Sequence, residues 1–298
     1  MEKQITQVGI IGAGELGQAL GGAFTKNRVQ VLYYDKDPAR TTTASLEDII
    51  RTCPTLLLCV PSWEVKEVAK QIREVAHPTE PRLVLSFSKG VEPGFVTMDE
   101  VLGKRLPKNY DFGVVYGPLI AEEIDRGRGG AGVLALSNHK WYTSLRTLFS
   151  ESKIYIETTG DMHGAALCSV LKNVYAIGFG MLDGLHAGVN AKGRLGTMAI
   201  AEMKQLLTDL GADPRTAESL AGLGDLMATG FSEESFNYRI GKSLAEGIAD
   251  EHIKSEGLVT LYELSRKVNT RKYLLVHAIE QVTFHYAKPA TLTDLLYA

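Results

Sequence analysis

The chain has 298 residues, enough for about two domains at roughly 150 residues each. Its 32 Lys+Arg against 35 Asp+Glu give a net charge of −3, which excludes a strongly basic nucleic-acid binder and an acidic disordered tail. Hydrophobic residues make up 45% and charged ones 22%, an ordinary balance for a globular protein with a real core.

The N-terminus, MEKQITQVGIIGAGELG, carries only a short apolar run, so no signal peptide is expected. Val8–Ile11 reads as a strand, followed by glycines and a helical stretch over Gln18–Thr25. Val29–Tyr34 is a second β-rich run and ends at Asp35. Thr55–Val60 is continuously apolar between Pro54 and Pro61, the pattern of a strand buried on both faces. Trp63–Ala76 reads as a helix, and Leu83–Phe87, Phe112–Tyr116 and Gly132–Leu136 as further strands with helical stretches between. This alternation predicts an α/β fold with a parallel, doubly wound sheet. RGRGG at Arg126–Gly130 is too short for an RNA-binding array and reads as a surface loop.

Eight of the ten prolines lie before residue 151, so longer helices are expected afterwards. Ala165–Leu185, Met198–Leu210, Phe236–Ala249, Leu258–Val268 and Tyr273–Tyr286 are the helix candidates. The boundary is placed near residue 160, with an α/β domain over 1–160 and an all-helical domain over 161–298. Nowhere do 18 apolar residues run together, so no membrane span is expected. Three cysteines without a CxxC pair point to a reducing compartment, hence the cytoplasm. Seven histidines without ligand spacing predict no metal.

Gly12-Ala13-Gly14-Glu15-Leu16-Gly17 is GxGxxG. It follows a predicted strand and opens a predicted helix, and Asp35 stands at the end of the next strand. That context predicts a Rossmann dinucleotide site over the first domain. Gly12 permits the tight turn, Gly14 the backbone's approach to pyrophosphate, and Gly17 close helix packing, while the helix N-terminus faces the phosphates. Asp35 suits the ribose 2′-hydroxyl and so favours NAD over NADP. Lys36 beside it pulls the other way, so NADP stays open. Flavin enzymes use similar loops but need a longer adenine-binding domain.

Further strings resemble NAD(P)-dependent glycerol-3-phosphate dehydrogenases over nearly the whole chain. They are GAGELGQAL, SKG at Ser88–Gly90, GPLIAEE at Gly117–Glu123, LKNVYAIGFGMLDGLHAGVNAK at Leu171–Lys192, AGLGDLMAT at Ala221–Thr229 and SEG at Ser255–Gly257. The resemblance implies an N-terminal Rossmann domain, a C-terminal helical substrate and dimerisation domain, and an active site between them. It implies hydride exchange between dihydroxyacetone phosphate and sn-glycerol 3-phosphate, a reaction that feeds phospholipid synthesis, in a homodimer acting on a small molecule. It makes Lys172 the proton acceptor, accompanied by Asn173, Asp183 and Asn190, with Lys89 and Asp225 as its catalytic companions. Substrate would meet Lys89, Gly117, Asn173, Asp225, Thr229, Ser235 and Asn237. Cofactor would meet the glycine loop, Asp35, Lys89, Ala121 and Glu256.

The residues suit that chemistry. A secondary alcohol loses its hydroxyl proton as hydride leaves the same carbon, so a base must stand beside it. A lysine serves if burial and positive neighbours lower its pKa toward ~7–8. Lys172 sits near the start of the glycine-rich apolar string LKNVYAIGFG, and Thr229, four residues after Asp225, shares a helical face with that aspartate. Asp225 is also read as a helix N-cap, a role compatible with orienting Lys172.

Three positions depart from the family. It carries an Arg-Asn pair eleven and twelve residues after the aspartate, the arginine holding substrate phosphate and cofactor; here the pair is Phe236 and Asn237. A phenyl ring offers no bidentate fork for phosphate. Leu119 replaces a small polar residue, and Ala166 an acidic or amide one. The stretch between Asp37 and Ser45 is shorter than usual. Two alternatives therefore stay open: a paralogous reductase of another small hydroxy or keto compound, and a catalytically silent NAD-binding sensor.

Overall fold

The structure, a computed structural model, describes residues 4–75, 82–248 and 255–298. It divides into two compact units, one of Met1–Lys89 and Met98–Met162, the other of Gly90–Thr97 and His163–Ala298. A single boundary near 160 takes no account of Gly90–Thr97. That segment carries the short antiparallel pair β5 (Val91–Glu92) and β6 (Val96–Thr97), and Gly94 N donates to Glu263 of the second unit at 2.8 Å.

The first unit carries β1 (Gln7–Ile11), β2 (Gln30–Tyr34), β3 (Thr55–Leu58), β4 (Arg82–Ser86), β7 (Tyr110–Tyr116), β8 (Gly130–Leu136) and β9 (Ile154–Thr159) in one sheet of order β2-β1-β3-β4-β7-β8-β9. Its helices are α1 (Glu15–Lys26), α2 (Leu46–Thr52), α3 (Ser62–Val75), α4 (Met98–Arg105), α5 (Ala121–Asp125) and α6 (Tyr142–Glu151). The sheet is the expected parallel, doubly wound one, with a single antiparallel pairing, β7 against β8. Ala76, the expected end of the third helix, lies outside the described residues, as does Ala249.

Strand alternation builds the two layers. Val8 and Ile10 of β1 join a core with Leu20 and Phe24 of α1, Ile124 of α5, and Leu145 and Phe149 of α6. A Cβ on Gly9, between them, would lie 2.8 Å from Ile49 and 3.0 Å from Cys53 at α2. The central strands are therefore covered on both faces, which is why β3 and β4 are buried at every position.

The second unit carries α7 (Met162–Gly184), α8 (Gly188–Asp209), α9 (Asp225–Gly230), α10 (Phe236–Glu246), α11 (Glu256–Lys267), α12 (Leu274–Phe284) and α13 (Ala290–Tyr297). By length and composition α7 could cross a membrane, but its most apolar stretch is wholly inside the protein. It is a core helix packed on every side. Glycine makes that possible, since a Cβ on Gly180 would lie 1.9 Å from Tyr238 O, and one on Gly241 1.8 Å from Ile177 O. The α7 and α10 backbones thus touch directly.

Buried Glu202 of α8 ties the same helix to α12. Its carboxylate accepts the Leu275 and Val276 N–H groups at 2.8 and 2.9 Å and the Tyr175 hydroxyl at 3.3 Å. Burial pushes this carboxyl above its usual range, while the two amide bonds at the start of α12 oppose the shift.

Candidate active site

In the first unit the chain leaves β1 through Gly12, whose φ of +97° favours glycine. A Cβ there would lie 2.7 Å from the Cys59 carbonyl, just past β3. Gly12 N donates to Tyr34 O at 2.9 Å, so the loop is tied to the end of β2. A Cβ on Gly17 would lie 2.1 Å from Gly12 O, which sets α1 hard against the loop. Gly14, by contrast, meets nothing within 4 Å of its Cβ direction. Glu15 and Leu16 open α1, whose first N–H groups face the same end. A crowded turn, a crowded helix contact and an open middle glycine are the features a pyrophosphate requires, so these residues fit a dinucleotide.

The Asp35 carboxylate is held by two backbone N–H groups. Its Oδ2 accepts Ala13 N at 2.7 Å, and its Oδ1 accepts Asp37 N at 2.9 Å. Lys89 donates from Nζ to Gly117 O at 2.9 Å. The loop carrying Lys89 is anchored by Tyr116, whose hydroxyl donates to Ser88 O at 3.0 Å, and by Ser88, whose Oγ donates to Val60 O at 2.5 Å. Neither Tyr116 nor the anchoring role of Ser88 was expected; SKG was the only available signal. Ala121 is the first residue of α5 and half-buried.

In the second unit Lys172 is 6% exposed and Asp225 2%. Lys172 Nζ donates to Thr229 Oγ1 at 2.7 Å and lies 3.2 Å from Asp225 Oδ1. Thr229 Oγ1 in turn donates to Asp225 Oδ1 at 3.3 Å. The local fold explains the cluster. A π-helical turn over Leu220–Gly224 feeds α9, and Asp225 and Thr229 stand one turn apart on it. Asp225 is the first residue of α9; Gly224 holds the N-cap position, so the N-cap reading is corrected. A carboxylate, that of Asp225, thus stands beside the Lys172 ammonium.

Asn173, next on α7, is 4% exposed. Asn237 Oδ1 accepts Gly257 N at 3.1 Å, and a Cβ on Gly257 would meet Asn237 Oδ1 at 2.6 Å and Asn173 O at 2.9 Å. The chain beside Glu256 is therefore pressed onto the residue that follows Lys172. Ser235 caps α10, its Oγ accepting Tyr238 N at 3.4 Å. Asp183 pairs with Lys192 and accepts the Tyr238 hydroxyl, and Asn190 is exposed.

Two of the departing residues turn out to be packing. Leu119 is 8% exposed and belongs to the core of the first unit, and Ala166 is buried in α7. Phe236 is different. It is 46% exposed, and the Arg239 guanidinium lies 5.7 Å from its ring centre.

Models of the NAD-dependent glycerol-3-phosphate dehydrogenase N-terminus and C-terminus match residues 39–142 and 161–294. A glycerol-3-phosphate dehydrogenase (NAD(P)+) of Trichormus variabilis is 33% identical over 93% of this chain and 88% of its own. The chain belongs to the NAD-dependent glycerol-3-phosphate dehydrogenase family. Another relative of that name, from Acinetobacter baylyi, is 28% identical over 98% of this chain and 89% of its own. The crystal structure of glycerol-3-phosphate dehydrogenase from Coxiella burnetii shares the fold, with a TM-score of 0.86 at 24% identity over 98% of this chain and 99% of that one. Membership makes this chain an NAD(P)-dependent oxidoreductase. The N-terminal match begins after the glycine loop and Asp35, so the loop's reading stands on its own geometry.

Proposed function

We propose that this protein interconverts sn-glycerol 3-phosphate and dihydroxyacetone phosphate with NAD in preference to NADP. The observation that carries the reading is the buried Lys172–Asp225–Thr229 cluster. Gly12, Ala13, Gly14, Glu15, Leu16 and Gly17 hold the pyrophosphate, and Asp35 takes the ribose hydroxyl. Lys89, Ala121 and Glu256 complete the cofactor contacts. When bound, NAD supplies the hydride acceptor for alcohol oxidation and NADH the donor for ketone reduction.

During reduction the Lys172 ammonium, held beside Asp225, gives its Nζ proton to the forming alkoxide, and during oxidation the neutral amine takes the hydroxyl proton. Asp225 and Thr229 fix the direction of that nitrogen, and Asp225 also binds a substrate hydroxyl. Lys89, Gly117, Asn173, Thr229, Ser235 and Asn237 position the substrate. We further propose a soluble, cytoplasmic homodimer, with the first unit binding cofactor and the second serving substrate and subunit contact.

Phe236 supports a second reading, a reductase of a related compound without phosphate, because its exposed ring gives an anion no partner. Arg239 over that ring favours the first. NADH consumption with dihydroxyacetone phosphate, dihydroxyacetone and 2-keto acids separates the two. The phosphate ester is expected to exceed dihydroxyacetone about a hundredfold in kcat/KM, the scale of one or two charged hydrogen bonds. A preference for an unphosphorylated ketone selects the second reading. NADH binding without turnover on any of them leaves the sensor.

A further inference from the structure

The turn after β2 holds opposed signals for the nucleotide. Asp35 is pinned by two backbone N–H groups and disfavours an anion. Lys36 beside it would attract one. Its Nζ, however, lies 2.6 Å from Glu64 Oε1. Glu64 sits in the first turn of α3, close after the end of β3 that lies against Gly12. The lysine side chain is 76% exposed and the glutamate 28%, so the carboxylate is the more firmly seated partner. Arg40, the next cation along, lies 3.4 Å from Asp37 Oδ2. Each cation that follows β2 before Ser45 is thus engaged by a carboxylate.

We propose that Glu64 selects the coenzyme. By holding the Lys36 ammonium it engages the cation that follows Asp35 in the chain and leaves Asp35 to favour a 2′-hydroxyl. A dianionic phosphate entering there must displace Glu64 from Lys36 and face two carboxylates. The inference rests on the dinucleotide reading above. An exposed ion pair contributes little to stability, so its substitution leaves the fold intact.

Fluorescence titration of the full chain with NADH and with NADPH tests it. Glu64→Gln is expected to raise the NADPH-over-NADH affinity ratio about tenfold, the effect of one released cation near the surface. Adding Lys36→Gln to that variant removes most of the rise, the remainder being the repulsion that Glu64 no longer exerts. An unmoved ratio in Glu64→Gln overturns the proposal, as does a rise that survives the double substitution in full, because then Lys36 plays no part. A wild-type preference for NADPH overturns it too. Wild-type protein that binds neither nucleotide overturns the dinucleotide reading and the proposal together.

Discussion

Replacing Lys172 by alanine is expected to lower kcat about a thousandfold, within the range for loss of a positioned general base. NADH affinity is expected to survive, because the glycine loop and Asp35 belong to the other compact unit. Alanine also leaves Asp225 buried without its ammonium, a loss of about 3–5 kcal/mol in comparable pairs. Lys172→Arg separates the two effects. Arginine keeps the charge facing Asp225 but does not give up its proton near neutral pH. The arginine variant should therefore melt near wild type and still lose turnover. Wild-type turnover in either variant removes Lys172 as the base.

The second large effect is on the fold. Gly241→Val is expected to lower Tm by about 10 °C or more, because the α7 and α10 backbones leave no room for a side chain. The Cβ position lies 1.8 Å from Ile177 O, and no rotamer change relieves a contact with backbone. Gly193→Ala is the control. That glycine lies within α8 and meets nothing within 4 Å, so alanine should stabilise by about 0.5–1 kcal/mol. Calorimetry of the two variants checks both directions. Unchanged melting of Gly241→Val contradicts the packing described for α7.

That packing shows what the sequence could and could not carry. TLLLCV between two prolines announces β3, because a strand buried on both faces must be apolar throughout. GxGxxG announces its own turn, since each glycine answers a local need. The chain direction of β8 has no such signature: its apolar residues suit a buried strand of either direction, and only the pairing of Gly113–Tyr116 with Val133–Leu136 decides it. The strand β9 was missed because its burial is irregular, with Tyr155, Glu157 and Thr158 exposed. The helix α8 begins at Gly188, ten residues before the expected start, because packing overrides the low helix propensity of Gly188, Gly193 and Gly196.

The candidate site divides the same way. Lys172, Asp225 and Thr229 were legible as a set, since their strings are ordered and Asp225 and Thr229 lie one turn apart. Leu119 drew attention as a substitution and is a core side chain. The pairings of Lys36 with Glu64 and of Asp183 with Lys192 and Tyr238 join residues from different elements, and one sequence gives no sign of them.

Hydride is expected to pass directly between the nicotinamide and the carbon bearing the substrate oxygen. NADH deuterated at the transferring C4 position, incubated with dihydroxyacetone phosphate and purified protein, tests it directly by mass spectrometry. The account predicts glycerol 3-phosphate carrying one deuterium on the central carbon, formed in step with NADH loss. Product without deuterium, or NADH left unconsumed, contradicts it.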